Sequence, residues 1–452
     1  MHTVKQNYRF FSILIVIFAS IGGILYGYDI GVISGALLFI RGSIALTDTQ
    51  MSIIVAAVLG GGSIATLVSG AFADWFGRKK MIAFSAFIFL VGVILVITAH
   101  SFMGILLGRL TQGIGVGIIT IVIPLYLVET APAAMRGRSI TAFQLFLTGG
   151  ILLAYLINLI FAPSGNWHAM FMCAMIPGLL LLISMYYAPE SPRWLYLKGH
   201  VERAKNVLLS SRSKTEAEHD LTRMKAVAKV DVYSGARWQK HYLLPLVITF
   251  TVACLAQLTG INSILQFAAM ILEHAGLSSN VTSILGTVTV GLINFLMTAV
   301  ALMLVDKVGR RPLLILGTSG VVAAMFLLGL VNLVLDAGTL RGYLTLAGLV
   351  LYILFFAVGP GVVIWLILSE LMPMSIRGKS MSVALFLNSL TSTLFAGVFM
   401  TLAHWIGYTG IFWLCSGSTM IYLFMAIYCI PETKNRSLEE IEQYFMKKVK
   451  GS

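Results

Sequence analysis

Residues 70–80 read GAFADWFGRKK and residues 301–312 read ALMLVDKVGRRP, in a chain of 452 residues. An acid, a glycine and an arginine occupy the same relative positions in the two stretches. Each recurs 232 positions later: Asp74, Gly77 and Arg78 correspond to Asp306, Gly309 and Arg310. A motif this short arises easily by chance, so its weight depends on whether other motifs repeat with it.

Two further motifs repeat in the same order. ETAPAAMRGRS at 129–139 corresponds to ELMPMSIRGKS at 370–380, which is 241 positions later. APESPRW at 188–194 has a weaker counterpart, IPETKNR at 430–436, at an offset of 242. Three motifs at nearly one offset predict two halves in parallel orientation, as expected for a carrier that works by alternating access around a central site.

The composition is that of an integral membrane protein. Hydrophobic residues make up 58% of the chain and charged residues 11%, whereas a soluble globular protein carries about 25% charged residues. We expect an all-α membrane protein with twelve transmembrane helices in two pseudo-symmetric six-helix bundles, plus short cytoplasmic helices. The expected spans lie near residues 10–40, 50–73, 81–99, 102–128, 139–161, 168–188, 242–272, 279–305, 312–334, 342–371, 380–403 and 408–430.

The basic residues divide the loops into two classes. Of the 31 Lys and Arg residues, 28 lie at the termini or in alternate loops. The remaining loops hold only Arg41 and Arg341, and Arg109 lies within a span. Because cytoplasmic loops are enriched in Lys and Arg, both termini and the long central loop are predicted to be cytoplasmic. The net charge of +13 is therefore a sign of topology and gives no support to nucleic-acid binding.

One long polar segment, residues 190–241, separates the halves. Its sequences VERAKNVLLS and EHDLTRMKAVAKV combine mixed charge with helical spacing, which predicts short amphipathic helices on the cytoplasmic surface. The expected organisation is an N-terminal six-helix bundle (1–189), this linker, a C-terminal six-helix bundle (242–430) and a cytoplasmic C-terminal helix (431–452).

Taken together, the motifs resemble those of the sugar porter family of the major facilitator superfamily. The resemblance rests on the D-x-x-G-R-[RK] loops, the E-x6-R-G pairs, PESPRWL at 189–195 and PETKNRS at 431–437. The first span is similar to that of bacterial proton-coupled symporters for xylose, arabinose and galactose. The resemblance implies a monomeric carrier of the bacterial inner membrane that imports a monosaccharide, a pentose or a hexose, with a proton and without a cofactor.

The duplicated charges lie at the cytoplasmic ends of the expected spans. One interpretation is that they anchor the helix ends at the lipid headgroups. The resemblance instead implies an ion-pair network that ties the halves together while the inward side is closed and breaks when that side opens. The residues of this expected cytoplasmic gate are Asp74, Arg78, Glu129, Arg136, Glu190, Arg193, Asp306, Arg310, Glu370, Arg377 and Glu432.

Several amide side chains and a tryptophan lie within apolar spans. A monosaccharide is bound by neutral hydrogen-bonding groups and an aromatic surface, because unpaired charges would cost desolvation energy. Taken singly, such residues are as readily explained by hydrogen bonds between helices or by core packing. Their order is similar to that of the family's sugar contacts, which implies a substrate site. Its expected residues are Gln144, Gln257, Asn262, Gln266, Trp365 and Asn388.

The expected sugar site also departs from the family pattern. Ala256 stands where the family often has a glutamine, and Gln266 replaces one member of an aromatic pair. Ser389 and Ser392 occupy positions where Trp and Asn are common. These changes alter the size or polarity of the site, so the resemblance leaves the identity of the sugar open.

Asp29 is a charged residue inside the first apolar span, in the stretch GGILYGYDIGVISG at residues 22–35. An ionisable residue within a membrane is by default a functional candidate whose partner should be identified. We expect that partner to be Arg109 in the fourth span, because the family pairs these positions. The flanking glycines predict close approach of a neighbouring helix: Gly27, Gly31 and Gly35.

The expected pair of Asp29 and Arg109 has two interpretations. It is either a static structural salt bridge or a pair that forms and loosens as the carrier loads a proton outside and releases it inside. Uniporters of the family typically carry Asn at the position of Asp29, which favours the second interpretation. A facilitator that carries sugar down its gradient remains the alternative, since Ala174 replaces a carboxylate that some symporters have in the sixth span.

Two other classes of function have little support in the sequence. It contains no Ser/His/Asp, metal-binding or paired-carboxylate set, so we expect neither an enzyme nor a metal site. A non-transporting sugar sensor normally carries a long cytoplasmic extension, and only about 22 residues follow the last expected span.

Overall fold

The computed structural model describes residues 2–132, 135–231, 242–277, 279–373, 376–434, 436 and 438–450. The described chain is almost entirely helical, as predicted. Its helices are α1 (His2–Ser43), α2 (Asp48–Phe76), α3 (Arg78–Ile97), α4 (Phe102–Thr130), α5 (Arg136–Phe161), α6 (Trp167–Met172), α7 (Met175–Tyr187), α8 (Pro192–Leu197), α9 (Val201–Ser211), α10 (Lys214–Asp231), α11 (Leu243–Leu258), α12 (Ile261–Ala275), α13 (Asn280–Val308), α14 (Arg310–Val334), α15 (Thr339–Val358), α16 (Pro360–Glu370), α17 (Arg377–Tyr428) and α18 (Leu438–Lys450).

In the described chain, eleven helical segments are long and apolar enough to cross a membrane. The longest helix, α17, has 52 residues. At about 1.5 Å per residue it is more than twice as long as the roughly 30 Å hydrocarbon core of a bilayer is thick. Gly407 within it has a φ of +67°, outside the helical range, so α17 contains two spans. The total is therefore twelve spans, as the sequence predicted.

Three of the spans are interrupted helices. The sixth consists of α6 and α7, the seventh of α11 and α12, and the tenth of α15 and α16. Gly260 begins α12 with a φ of +87°, a conformation that only glycine adopts readily. At the tenth span, Pro360 has no N–H to continue the helical ladder. Irregular backbone at membrane depth is tolerated where it lines a cavity, which places the interruptions of the seventh and tenth spans near a central site.

Close contact between α1 and α5 holds the first span in the interior. A Cβ added at Gly31 would lie 2.8 Å from Cβ of Ala154, and one at Gly35 would lie 2.7 Å from Cβ of Asn158. Nδ2 of Asn158 donates a hydrogen bond to the carbonyl of Gly31 at 3.1 Å. The predicted close approach at these glycines is confirmed, because larger side chains would push the two backbones apart.

The short helices of the linker lie at one end of the bundle. Nη2 of Arg212, which follows α9, donates to the carbonyl of Thr130 at the end of α4 at 2.9 Å. We call this end, with the α2–α3 turn, α8–α10 and α18, the basic end. The end with the α1–α2 loop is the opposite end.

Candidate functional site

A cavity of about 160 Å³ lies between the two halves at mid-depth. Helices of both halves line it, among them α1, α2, α4 and α5 of the first and α11–α13, α16 and α17 of the second. The structure brings all six expected sugar-site residues to its wall: Gln144, Gln257, Asn262, Gln266, Trp365 and Asn388.

The amides of the second half form one hydrogen-bonded chain on the cavity wall. Nδ2 of Asn262 donates to Oε1 of Gln257 at 3.0 Å, and Nε2 of Gln257 donates to Oδ1 of Asn388 at 3.0 Å. Nδ2 of Asn262 also donates to Oγ of Ser392 at 2.9 Å. Nδ2 of Asn388 donates to the carbonyl of Ala253 at 2.8 Å, which fixes the chain to the backbone of α11. The amides are therefore oriented by one another, as a binding site for a polar ring requires.

Trp365 and Gln144 face the same cavity from different halves. Trp365 lies on α16, just after the Gly359–Pro360 interruption, and is 36% exposed. Gln144 lies on α5, and its side chain makes no hydrogen bond to any described residue. The cavity thus has an aromatic surface on one side and an uncommitted amide on the other.

Two cavity residues on α13 were missed from the sequence. Asn294 and Thr298 lie one helical turn apart, and both are buried and line the cavity. The signal was available, because Asn294 is an amide within an apolar span, as Asn388 is. Its stretch GLINFLMT contains Gly291, but α13 continues through it without the kind of break that lies next to Gln257 and Trp365.

Asp29 and Arg109 meet inside the first half. Nη1 of Arg109 donates to Oδ1 of Asp29 at 2.6 Å, and the two side chains are 0% and 1% exposed, respectively. Asp29 also lines the central cavity, whereas Arg109 does not. The two predicted partners are therefore in contact, with the carboxylate on the cavity side.

At the basic end of the first half, Arg78 is the centre of a charge cluster. Nη2 of Arg78 donates to Oδ1 of Asp74 at 2.8 Å and to Oε1 of Glu129 at 3.0 Å. The backbone N–H groups of Arg78 and Lys79 donate to Oε1 of Glu190 at 2.9 and 3.0 Å. Four expected gate residues of this half are thus brought together.

The second half repeats this cluster around Arg310. Nη1 of Arg310 lies 3.1 Å from Oδ1 of Asp306, and Nε lies 3.5 Å from Oε1 of Glu370. The backbone N–H of Arg310 donates to Oε1 of Glu432 at 3.1 Å. The repeat seen in the sequence is therefore also a repeat of contacts.

Three expected gate residues remain: Arg136, Arg193 and Arg377. Arg193 is exposed on α8, and none of the ion pairs found among the described residues includes it. The side chains of Arg136 and Arg377, the first residues of α5 and α17, lie outside the described part of the structure.

Within the described chain, the ion pairs that join the two halves lie at the opposite end. Nη2 of Arg41 on α1 lies 2.5 Å from Oε1 of Glu273 on α12. Nδ1 of His404 lies 3.6 Å from Oδ2 of Asp48, a contact that is ionic only while the imidazole is protonated. The described pairs of the two basic-end clusters, in contrast, each stay within one half. In this structure the halves are thus tied together at the opposite end, and a gate network between them at the basic end stays a prediction for another state.

Comparison with known proteins identifies the family. The family model described as "Sugar (and other) transporter" matches residues 15–445. The galactose-proton symporter of Escherichia coli strain K12 is 32% identical over 432 residues, covering 95% of this chain and 93% of that protein.

Solved structures of the E. coli transporter XylE are also similar. The structure of this major facilitator superfamily proton:xylose symporter bound to 6-bromo-6-deoxy-D-glucose has a TM-score of 0.80 and 28% identity, and covers 96% of this chain and 99% of that chain. A second structure, of XylE in an inward-open conformation, matches this chain with a TM-score of 0.83 at 28% identity, and again covers 96% of this chain and 99% of that chain.

Proposed function

This chain is a sugar transporter of the sugar porter family of the major facilitator superfamily, and we propose that it imports a monosaccharide together with a proton by alternating access. The substrate is a pentose or a hexose. The wall of the central cavity, with Gln257, Asn262, Asn388 and Trp365, binds the sugar, and Asp29 carries the proton.

The observation that carries the proposal is that Asp29 lines the same cavity as the amides. A carboxylate that opens to the sugar cavity and is held by Arg109 at 2.6 Å can exchange a proton with the solution that the cavity faces. Because access alternates, the proton and the sugar would be taken up on one side and released on the other. The match to two proton symporters by name agrees with this assignment.

We further propose that the protein lies in the inner membrane of a bacterial cell and that its basic end faces the cytoplasm. The bundles of residues 1–189 and 242–430 would then move as two units, with residues 190–241 as the linker and 431–452 as the C-terminal helix. The contact between Arg41 and Glu273 would then help to close the outward side. Closure of the inward side would bring the Arg78 and Arg310 clusters to the interface between the units.

The test is uptake into proteoliposomes. The wild type and Asp29→Asn are compared with labelled D-xylose, L-arabinose, D-galactose and D-glucose, with and without an inward proton gradient. We expect the gradient to drive accumulation of at least one sugar by the wild type. Asp29→Asn should lose uphill accumulation but retain sugar exchange, since an amide keeps the size of the side chain and cannot titrate.

A matched control is Asp336→Asn, which removes an exposed carboxylate beyond the end of α14. It should accumulate sugar as the wild type does. Full proton-driven accumulation by Asp29→Asn would overturn the role of Asp29, and wild-type uptake indifferent to the gradient would overturn symport.

Uniport is the second candidate, and one observation favours it. Asp29 is the only acid among the described residues that line the cavity, and Ala174 is buried at the interruption of the sixth span, where some symporters carry a carboxylate. A uniporter would equilibrate the sugar at the same rate with and without the gradient, so the same experiment separates the two.

A further inference from the structure

Gln112 lies one helical turn after Arg109 on α4 and is buried beside it. Nη1 of Arg109 donates two hydrogen bonds, one to Oδ1 of Asp29 at 2.6 Å and one to Oε1 of Gln112 at 3.0 Å. The guanidinium carbon lies 5.7 Å from the centre of the Phe171 ring. Arg109 thus has a neutral acceptor and an aromatic surface in addition to its charged partner.

The contact between Asp29 and Arg109 is a single hydrogen bond rather than a bidentate pair. Oδ2 of Asp29 and Nε and Nη2 of Arg109 have no hydrogen-bond partner in the described part of the chain. A bidentate pair is the stronger arrangement, and removing one partner of a buried pair is costly for the other. If Asp29 became neutral, the carbonyl of Gln112 would remain as a full acceptor for Arg109.

The other groups around Asp29 supply no competing charge at its depth. On the spanning helices packed against α1, charged residues other than Arg109 lie near the helix ends. The titratable side chains within those helices include hydroxyls, those of Tyr26 and Tyr28 on α1, Tyr126 on α4 and Tyr155 on α5. Cys173 follows α6, and the imidazoles of His168 and His274 lie at helix ends, as the second residue of α6 and the last but one of α12. Arg109 is therefore the cation that responds to the charge of Asp29.

We propose that Gln112 is a positioning residue of the coupling pair, which holds the Arg109 guanidinium while Asp29 is neutral and so sets the pH at which Asp29 binds its proton. This inference rests on the proposed role of Asp29 in proton coupling. Gln112 belongs to none of the motifs that mark the family in this sequence, and it does not line the sugar cavity.

The direction of the effect follows from which state needs Gln112 more. When Asp29 is ionised, Arg109 donates to a charged acceptor, and the hydrogen bond to Gln112 adds little to its stabilisation. With Asp29 protonated, the buried guanidinium depends on Gln112. Removing the amide therefore penalises the protonated state, and protonation moves to lower pH. A carboxylate at this position gives Arg109 a second counter-ion and repels ionised Asp29, so protonation moves to higher pH.

The experiment follows protonation of Asp29 directly, without a sugar. Infrared difference spectra of the full-length protein in liposomes, recorded across a pH titration, contain the carbonyl band of a protonated carboxyl group. The band that is missing in Asp29→Asn is assigned to Asp29. We expect its midpoint to fall by about one pH unit in Gln112→Met, the size expected for loss of one hydrogen bond to a charged group. It should rise in Gln112→Glu.

Asn158→Leu is the matched control, because it also removes a fully buried amide of the first half, one that bonds to the α1 backbone rather than to Arg109. Its midpoint should equal that of the wild type. An unchanged or raised midpoint in Gln112→Met overturns the inference, and so does an equal fall in Asn158→Leu. If Gln112→Met does not reach the membrane, Gln112→Ala, which also removes the amide, takes its place, and its midpoint should likewise fall.

The titration separates this inference from the proposed function. Wild-type uptake indifferent to a proton gradient rejects symport, whatever the midpoints are. Gradient-driven uptake together with an unmoved midpoint in Gln112→Met rejects only the role of Gln112.

Discussion

In the first half, the Arg78 side chain lies within 3.0 Å of both carboxylate oxygens of Glu129, whereas in the second half the equivalent contact, from Arg310 to Glu370, is 3.5 Å long. The first pair is 5% and 2% exposed and the second is 15% and 20% exposed. The motif is thus the same in both halves, but the ion pair of the first copy is shorter and more buried than that of the second.

A hydroxyl group shows the same difference. Oγ of Ser191 donates to Oε2 of Glu129 at 2.5 Å. Thr433 occupies the equivalent position, 242 residues later, and its buried Oγ1 has no partner among the described residues. Oε2 of Glu370 is likewise without a hydrogen-bond partner in the described chain. The duplicated motif therefore determines which groups face one another, but not the distances between them or how deeply they are buried.

The halves also differ at the cavity. The first half places the buried carboxylate of Asp29 there, with Arg109 behind it, and the second half places the connected amides of Gln257, Asn262 and Asn388. Under the proposed function, this difference is a division of work, in which the first half binds the proton and the second half makes most of the contacts with the sugar.

The largest expected effect tests that division. Asn262→Ala removes the donor to both Gln257 and Ser392, so two side chains lose a hydrogen bond that orients them, and a proposed sugar contact is lost as well. We expect sugar affinity in binding and exchange assays to fall by about ten- to a hundredfold. Gln144→Ala in the first half disturbs no side-chain hydrogen bond of the described structure and should cost less. Equal losses would contradict the division of work.

A smaller effect tests the two clusters. Arg78→Ala leaves Glu129 buried without its cation, a change that typically costs about 3–5 kcal/mol. Arg310→Ala affects a longer and less buried pair, so its cost should lie between that value and the about 0–1 kcal/mol of solvent-exposed pairs. We expect the midpoint of thermal unfolding in detergent to fall clearly further in Arg78→Ala. A larger fall in Arg310→Ala would show that the Arg310 contacts contribute more to stability than their length and exposure indicate.

Much of this architecture could be predicted from local features of the sequence. Span length and the offset of the repeats predicted twelve spans in two halves, and the interruptions at Gly260 and Pro360 marked two of the spans that line the cavity. Asp29 and Arg109 stand out as charges inside apolar spans, and the family resemblance implied that they are partners. Each of these signals is a charge or a helix-breaking residue inside an apolar span, where it destabilises the protein unless a partner or a cavity compensates for it.

Other features depend on distances that a sequence does not encode. The interruption of the sixth span was not predicted, although Pro177 has no N–H to donate to the carbonyl of Cys173 one turn earlier. Gln112 carries no charge and looks like an ordinary packing residue until its contact with Arg109 is known. Which end of the bundle is closed depends on the conformational state, and one sequence encodes all of the states.

The smallest expected effect isolates the hydroxyl groups. Ser191→Ala removes the donor to Glu129 and also the acceptor that caps the first turn of α8 at the N–H of Trp194. Loss of such a buried bond costs about 1–3 kcal/mol. Thr433→Val removes a hydroxyl without a partner in the described chain and should leave the midpoint of thermal unfolding nearly unchanged. Equal destabilisation by the two substitutions would mean that Thr433 has a bonding role like that of Ser191, and that the second cluster is as closed as the first.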